Sequence, residues 1–395
     1  MRSWRIRSGC GWIIISLAAC GLAAAEEAAK KPALAVIDRA DAAHWQAVAE
    51  EAGWTAIVAE AAPGDPIDKR VLALAAAVRG AIQTGGVDAA RVYVAGRGES
   101  AGWVLYTISR LPDLFAAGLA VGGSPEAALA TGRIFTANFT NSPVLWVTEN
   151  DADEATAEKL KAAGVWMEWR AAKDMKNADV LAWLAARARE PFPLEVDCET
   201  DSPTFASCFW LEPGKFDVNE RNDVLPRTLV AAAAPAALDL GAFGYKPDDP
   251  GPGVLVSHLP AKYSGPLKMG DRIAELDGRP IADAREFQKM MAQANQERRA
   301  VVMVQRGKER TRIETRILVP HRDFVPTARV QGKYDPAQRQ ITIISRSVTE
   351  MRVTVPEAWA GASLWWNGLS LEKIDQPGCV RLTIDKELLH AGPCS

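Results

Sequence analysis

The chain has 395 residues, 48% of them apolar and 24% charged, a balance that fits packed soluble domains and excludes a disordered or fibrous chain. Its formal net charge of -3 offers no basic surface, which argues against nucleic acid as a partner.

Residues 1–25 read as a secretory signal. Arg2, Arg5 and Arg7 form a positive start, Trp12 to Ala19 form an apolar core too short to span a bilayer, and small residues follow. Two processing sites compete: Ala23-Ala24-Ala25 before Glu26, and Leu17-Ala18-Ala19-Cys20, which resembles a bacterial lipoprotein box with Cys20 as the lipidated residue. The expected location is therefore periplasmic or secreted, with membrane attachment only through a lipid on Cys20. Beyond the signal stand Cys198, Cys208, Cys379 and Cys394, an even number in two close pairs, as exported disulfide proteins have. Bridges 198–208 and 379–394 are the simplest pairing, although four cysteines allow three connectivities.

After a linker at 26–32, the segment 33–190 alternates apolar runs with amphipathic helical patterns. The runs are PALAVID, WTAIVAE, RVYVAG, FAAGLAVGG, SPVLWVTE and VWMEWRA, and the helices include IDKRVLALAAAVRGAIQ, WVLYTISRL and NADVLAWLAARARE. Continuous buried strands separated by helices predict an α/β domain with a parallel sheet covered on both faces. Residues 191–230 contain LEVDCET and FASCFWLE, which read as a β-hairpin connector. Residues 231–320 read as a compact α+β module whose one helix is DAREFQKMMAQA, and 321–395 alternate as strands, giving a β-rich C-terminal domain.

The module at 231–320 carries GVLVSHLPAKYSGPLKMGDRIAELDGRPIADAREFQKM followed by VVMVQRGKERTRIETRI, and on these residues it resembles a PDZ domain of the bacterial type. That resemblance implies an extended peptide, or the C-terminus of an envelope protein, added as a strand, with a glycine loop holding the terminal carboxylate. The loop should lie in Leu240-Gly241-Ala242-Phe243-Gly244-Tyr245. Both Leu240-Gly241-Ala242 and Phe243-Gly244-Tyr245 fit its apolar-Gly-apolar pattern.

The segment 33–190 resembles the α/β-hydrolase fold, in particular secreted esterases of the polyhydroxybutyrate depolymerase and feruloyl esterase group. The carriers are Asp88 to Gly96, Leu111-Pro112-Asp113-Leu114-Phe115, Gly122-Gly123 and Pro143 to Val147. Gly98-Glu99-Ser100-Ala101-Gly102 fits the nucleophile-elbow pattern, which places a serine on a sharp turn after a strand. One register makes Ser100 the nucleophile. The other, set by the strand ending at Ala95 and by the spacing to Phe115, puts the turn at Gly98 and leaves no hydroxyl there.

A serine nucleophile also needs a base held by a carboxylate. The four histidines are His44, His258, His321 and His390, and the place for the base, Ala171 to Lys176, holds none. Asp151 is the candidate acid, Asp38 to Ala42 replaces the glycine-rich oxyanion loop, and Lys173 or Lys176 would need desolvation to act as a base. No metal or cofactor is expected: Asp248-Asp249 reads as a solvated turn, and Gly-Arg-Gly-Glu-Ser lacks the lysine of a phosphate loop. The resulting expectation is an exported pseudo-esterase that binds peptide or protein partners through its PDZ module. The alternative is a serine esterase using Ser100 with an unrecognised base.

Overall fold

The computed structural model describes residues 29–62, 64–151, 153–230, 236–294, 296–319, 325–385 and 388–394. The signal segment with Cys20, and His321, lie outside the described residues.

The first six apolar runs form strands: β1 (Lys31–Val36), β2 (Thr55–Val58), β3 (Val87–Arg97), β4 (Ala117–Val121), β5 (Val144–Thr148) and β6 (Met167–Ala171). They make one parallel sheet in the order β2-β1-β3-β4-β5-β6. Helices α1 (Ala42–Glu51), α2 (Ile67–Gln83), α3 (Ala101–Arg110), α4 (Glu126–Ala130) and α5 (Asp153–Ala162) connect them, and α6 (Asn177–Ala185) follows β6. Because a parallel sheet buries both faces, its strands are apolar on both sides and two cores form. Val92 and Val94 pack with α2 and α3 on one face, while Tyr93 and Ala95 pack with α1 and α6 on the other. This is the expected α/β-hydrolase-like architecture.

The remaining strands are β7 (Glu195–Thr200), β8 (Leu211–Phe216), β9 (Ala237–Leu238), β10 (Gly244–Tyr245), β11 (Val254–His258), β12 (Arg272–Leu276) and β13 (Arg279–Pro280). Helix α7 (Ala284–Gln293) follows, then β14 (Arg298–Arg306), β15 (Glu309–Leu318), β16 (Ala328–Asp335), β17 (Gln340–Arg346), β18 (Val348–Val355), β19 (Ser363–Trp366), β20 (Leu369–Leu371), β21 (Gly378–Asp385) and β22 (Leu388–Pro393). The PDZ sheet runs β10-β11-β12-β14-β15-β9, with β13 on β12 and its own core around Val254, Ile273, Phe287 and Val302.

The expected hairpin at 191–230 does not form. β7 pairs with β16 and β8 with β18, so the two strands enter different sheets, β20-β19-β17-β16-β7 and β22-β21-β18-β8. Both sheets feed one core containing Trp210, Met351, Leu364 and Trp366, and the PDZ module is inserted between β8 and β16 of this β-rich unit. Gly332 on β16 makes the packing possible, since a Cβ there would lie 2.5 Å from the Trp210 ring. Disulfides join Cys198 to Cys208 and Cys379 to Cys394, as the simplest pairing anticipated, and they fit an oxidising compartment. No described helix is long and apolar enough to cross a membrane.

Polar contacts tie the α/β domain to this β-rich unit. The Asn138 side chain donates to the Glu199 carbonyl at 2.8 Å and accepts from the Glu199 amide at 2.7 Å, covering edge strand β7 as a neighbouring strand would. Arg110, buried at the end of α3, pairs with Asp201, and its guanidinium lies 4.0 Å from the Phe205 ring centre. Arg133 bridges Asp201 at 2.8 Å and Asp68 at 3.0 Å, and Asp68 accepts from the Tyr106 hydroxyl at 2.6 Å. Burial, reinforced by that bond to Asp68, pushes the Tyr106 pKa up to about 12.

Candidate functional site

Strand β3 ends in a turn at Gly98 to Ser100 that leads into α3. Gly98 has φ +56°, the left-handed conformation that a side chain disfavours, whereas Ser100 has φ -83° and ψ -11°, ordinary helical backbone. Gly96 brings the turn close to the strand, because an added Cβ would sit 2.6 Å from the Ser100 carbonyl oxygen and 2.9 Å from its Oγ. The sharp corner thus falls on Gly98, and Ser100 sits two residues further on.

The Ser100 hydroxyl is already engaged. It is 3% exposed, accepts from the Arg97 amide at 2.8 Å and lies 2.5 Å from Asp41 Oδ2, to which it donates. Asp41 belongs to the segment Asp38 to Ala42 that follows β1, the segment expected in place of an oxyanion loop. Amide donors there would stabilise developing negative charge, and a carboxylate opposes it.

Asp151, the expected acid, follows β5, and Lys173 follows β6. Asp151 Oδ2 and Lys173 Nζ are 3.7 Å apart, and their side chains are 73% and 70% exposed. An ammonium so exposed beside a carboxylate lacks the desolvation that a lysine base requires. The other histidines stand apart by element: His258 is exposed on β11 of the PDZ sheet, and His390 is exposed on β22.

His44 sits in the first turn of α1 and lines a cavity with Arg97 and Lys176. Burial, then the charge of Arg97, hold its pKa below the usual 6.5, with Asp41 acting in the opposite sense. The sequence alone does not mark Asp41 as the partner of Ser100. Proximity across 59 residues leaves no local signal, although the replacement of an oxyanion loop by Asp38-Arg39-Ala40-Asp41 was visible.

In the PDZ module, Leu240 is 1% exposed, and its carbonyl accepts from the Tyr263 hydroxyl. Gly241 has φ +77°, and a Cβ there would meet the Tyr263 ring at 2.9 Å. Leu240 is therefore packed inward, with Gly241 and Ala242 exposed beside it. Phe243, Gly244 and Tyr245 lead into β10, which pairs with β11 on one side and forms the end of the sheet. Tyr245 packs edge to face on Phe287 of α7, ring centres 5.9 Å apart, and Gln288 Nε2 donates to its hydroxyl at 3.2 Å. An edge strand beside a helix is the arrangement that takes an added peptide strand.

A family model described as a PDZ domain matches residues 241–317. No curated protein matches the chain. Among solved structures, a thermostable esterase is 19% identical with a TM-score of 0.24, over 31% of this chain and 37% of that one. Esterase PE8 is 17% identical with a TM-score of 0.29, over 40% of this chain and 91% of that one. A variant of SOBER1 from Arabidopsis thaliana is 18% identical with a TM-score of 0.27, over 40% of this chain and 99% of that one. On its own sheet order and this family match, the chain joins an α/β-hydrolase-like domain to a PDZ domain held within a β-rich C-terminal region.

Proposed function

We propose that the protein is an exported, non-catalytic binding protein. Its PDZ groove takes an extended peptide, or the C-terminus of an envelope protein, by strand addition along β10, and the α/β domain serves as a scaffold. The observation that carries this reading is the pairing of a PDZ family match at 241–317 with an edge strand, β10, lying beside α7. The glycine corner at Gly98 and the Ser100–Asp41 hydrogen bond support catalytic silence. The two disulfides agree with export through the signal at 1–25, anchored where Cys20 is lipidated.

The test is fluorescence anisotropy of labelled C-terminal peptides from envelope proteins against the mature chain, each with a free and an amidated terminus. Free-carboxylate peptides should bind, amidation should weaken them, and Tyr245→Ala should weaken them further. Equal binding of both forms, unchanged by Tyr245→Ala and Phe243→Ala, would sink the groove assignment.

A further inference from the structure

The free edge of β10 is short, and the chain closes it at both ends. At its start, the Leu240 carbonyl accepts from the Tyr263 hydroxyl and the Leu240 amide donates to the Leu238 carbonyl at 2.8 Å, which holds this residue against the core of the PDZ module. The amides of Gly241, Ala242 and Phe243 that follow donate to no other group among the described residues, and Gly241 and Ala242 are exposed. Successive open N–H groups in a turn hold an anion. At the far end, β10 spans only Gly244–Tyr245, with a bulge between the two. The Lys246 carbonyl then accepts from the Asp249 amide at 3.4 Å, and Pro247 has no amide N–H to add to a ladder. Arg272 of β12 holds Asp249 at 2.6 Å and the Pro252 carbonyl at 3.0 Å, so the chain turns back onto the sheet instead of prolonging the edge. The Tyr245 side chain crosses from β10 to α7, packing on Phe287 and accepting from Gln288, which closes the groove at the same residue.

Resting on the peptide-binding reading of this groove, we propose that it takes a free C-terminus through the last two residues only. The terminal carboxylate lies on the amides of Gly241, Ala242 and Phe243, the last two residues pair along Gly244 and Tyr245, and the chain before them leaves the groove into solvent. A partner with its carboxylate at the start of β10 runs antiparallel to it, so its third and fourth residues from the end would face Lys246 and Pro247, where the ladder stops. An internal loop does not fit, because it supplies no carboxylate to the three amides and would have to continue past the closed Leu240 end. The partner class is a protein with an exposed C-terminal tail, read at its final pair of residues.

The test is selection of random heptapeptides, displayed with a free C-terminus, on the full mature chain, followed by calorimetry of the most enriched heptapeptide, its amidated form and its acetylated C-terminal tripeptide. Enrichment should be confined to the last two positions. The heptapeptide should bind no more than about threefold tighter than the tripeptide, since a ladder continued over four more residues would add roughly tenfold or more. Enrichment at the third to fifth positions from the end, or a larger gain with length, would overturn the two-residue register while leaving peptide binding in place. An amidated heptapeptide that binds as well as the free acid would overturn the carboxylate seat. A selection with no enrichment at any position would overturn the peptide-binding reading itself, and the register with it.

Discussion

The end of β3 in the α/β domain and the edge strand β10 of the PDZ domain are both glycine-bearing corners, but they differ in what they leave unsatisfied. At the first, Ser100, Asp41 and the Arg97 amide engage one another, and Asp151 faces Lys173. At the second, β10 has a strand on one side only. The turn survives because its stability comes from Gly98, Gly96 and the sheet core, whereas hydrolysis requires a free hydroxyl and a positioned base. Strand addition asks only for an open edge.

If the α/β side is a scaffold, the buried polar groups where it meets the β-rich unit should matter most for stability. The largest expected effect is at Glu199, which is 1% exposed and accepts from the Thr228 amide at 2.7 Å, Thr327 Oγ1 at 2.5 Å and Arg346 at 2.8 Å. Glu199→Ala leaves Arg346 uncompensated and should cost about 3–5 kcal/mol in urea unfolding, since breaking a buried pair strands the other charge. Next is Gly98→Ser, which places a side chain at φ +56° and should cost about 1–2 kcal/mol without creating ester hydrolysis. Appearance of hydrolysis in that variant would show that a base is present after all. Tyr245→Ala should cost about 0.5–1.5 kcal/mol through loss of the aromatic pair with Phe287, while cutting peptide binding far more than either scaffold substitution.

The smallest effect at neutral pH is electrostatic. Burial raises both Tyr93 and Tyr106 to about 12, above the value near 10 of an unfolded chain. Their contribution is complete below about pH 10 and is lost as pH rises towards about 12, because the unfolded chain releases those protons first. Thermal unfolding followed from pH 9 upward, with tyrosinate absorbance, should show this decline, and Tyr106→Phe should make it shallower.

The α/β architecture was legible because buried parallel strands are short, continuous apolar runs, and PALAV, VYVAG and VLWVT leave little choice of partner layer. The PDZ module was legible from its turn residues, and the disulfides from local spacing. LEVDCET and FASCFWLE misled because their partners, β16 and β18, lie beyond an inserted domain, and strand pairing at such separation has no local signature. At the candidate site, the spacing to Phe115 already favoured Gly98 as the corner. The Asp41 contact depends on how α1 packs over the sheet, which periodicity does not encode.

The most direct measurement is hydrolysis of p-nitrophenyl butyrate by the mature chain beside Ser100→Ala. The account predicts the same background rate from both, because the hydroxyl donates to Asp41 and no histidine among the described residues bonds to it. Turnover lost in Ser100→Ala would contradict it and make the protein a serine esterase.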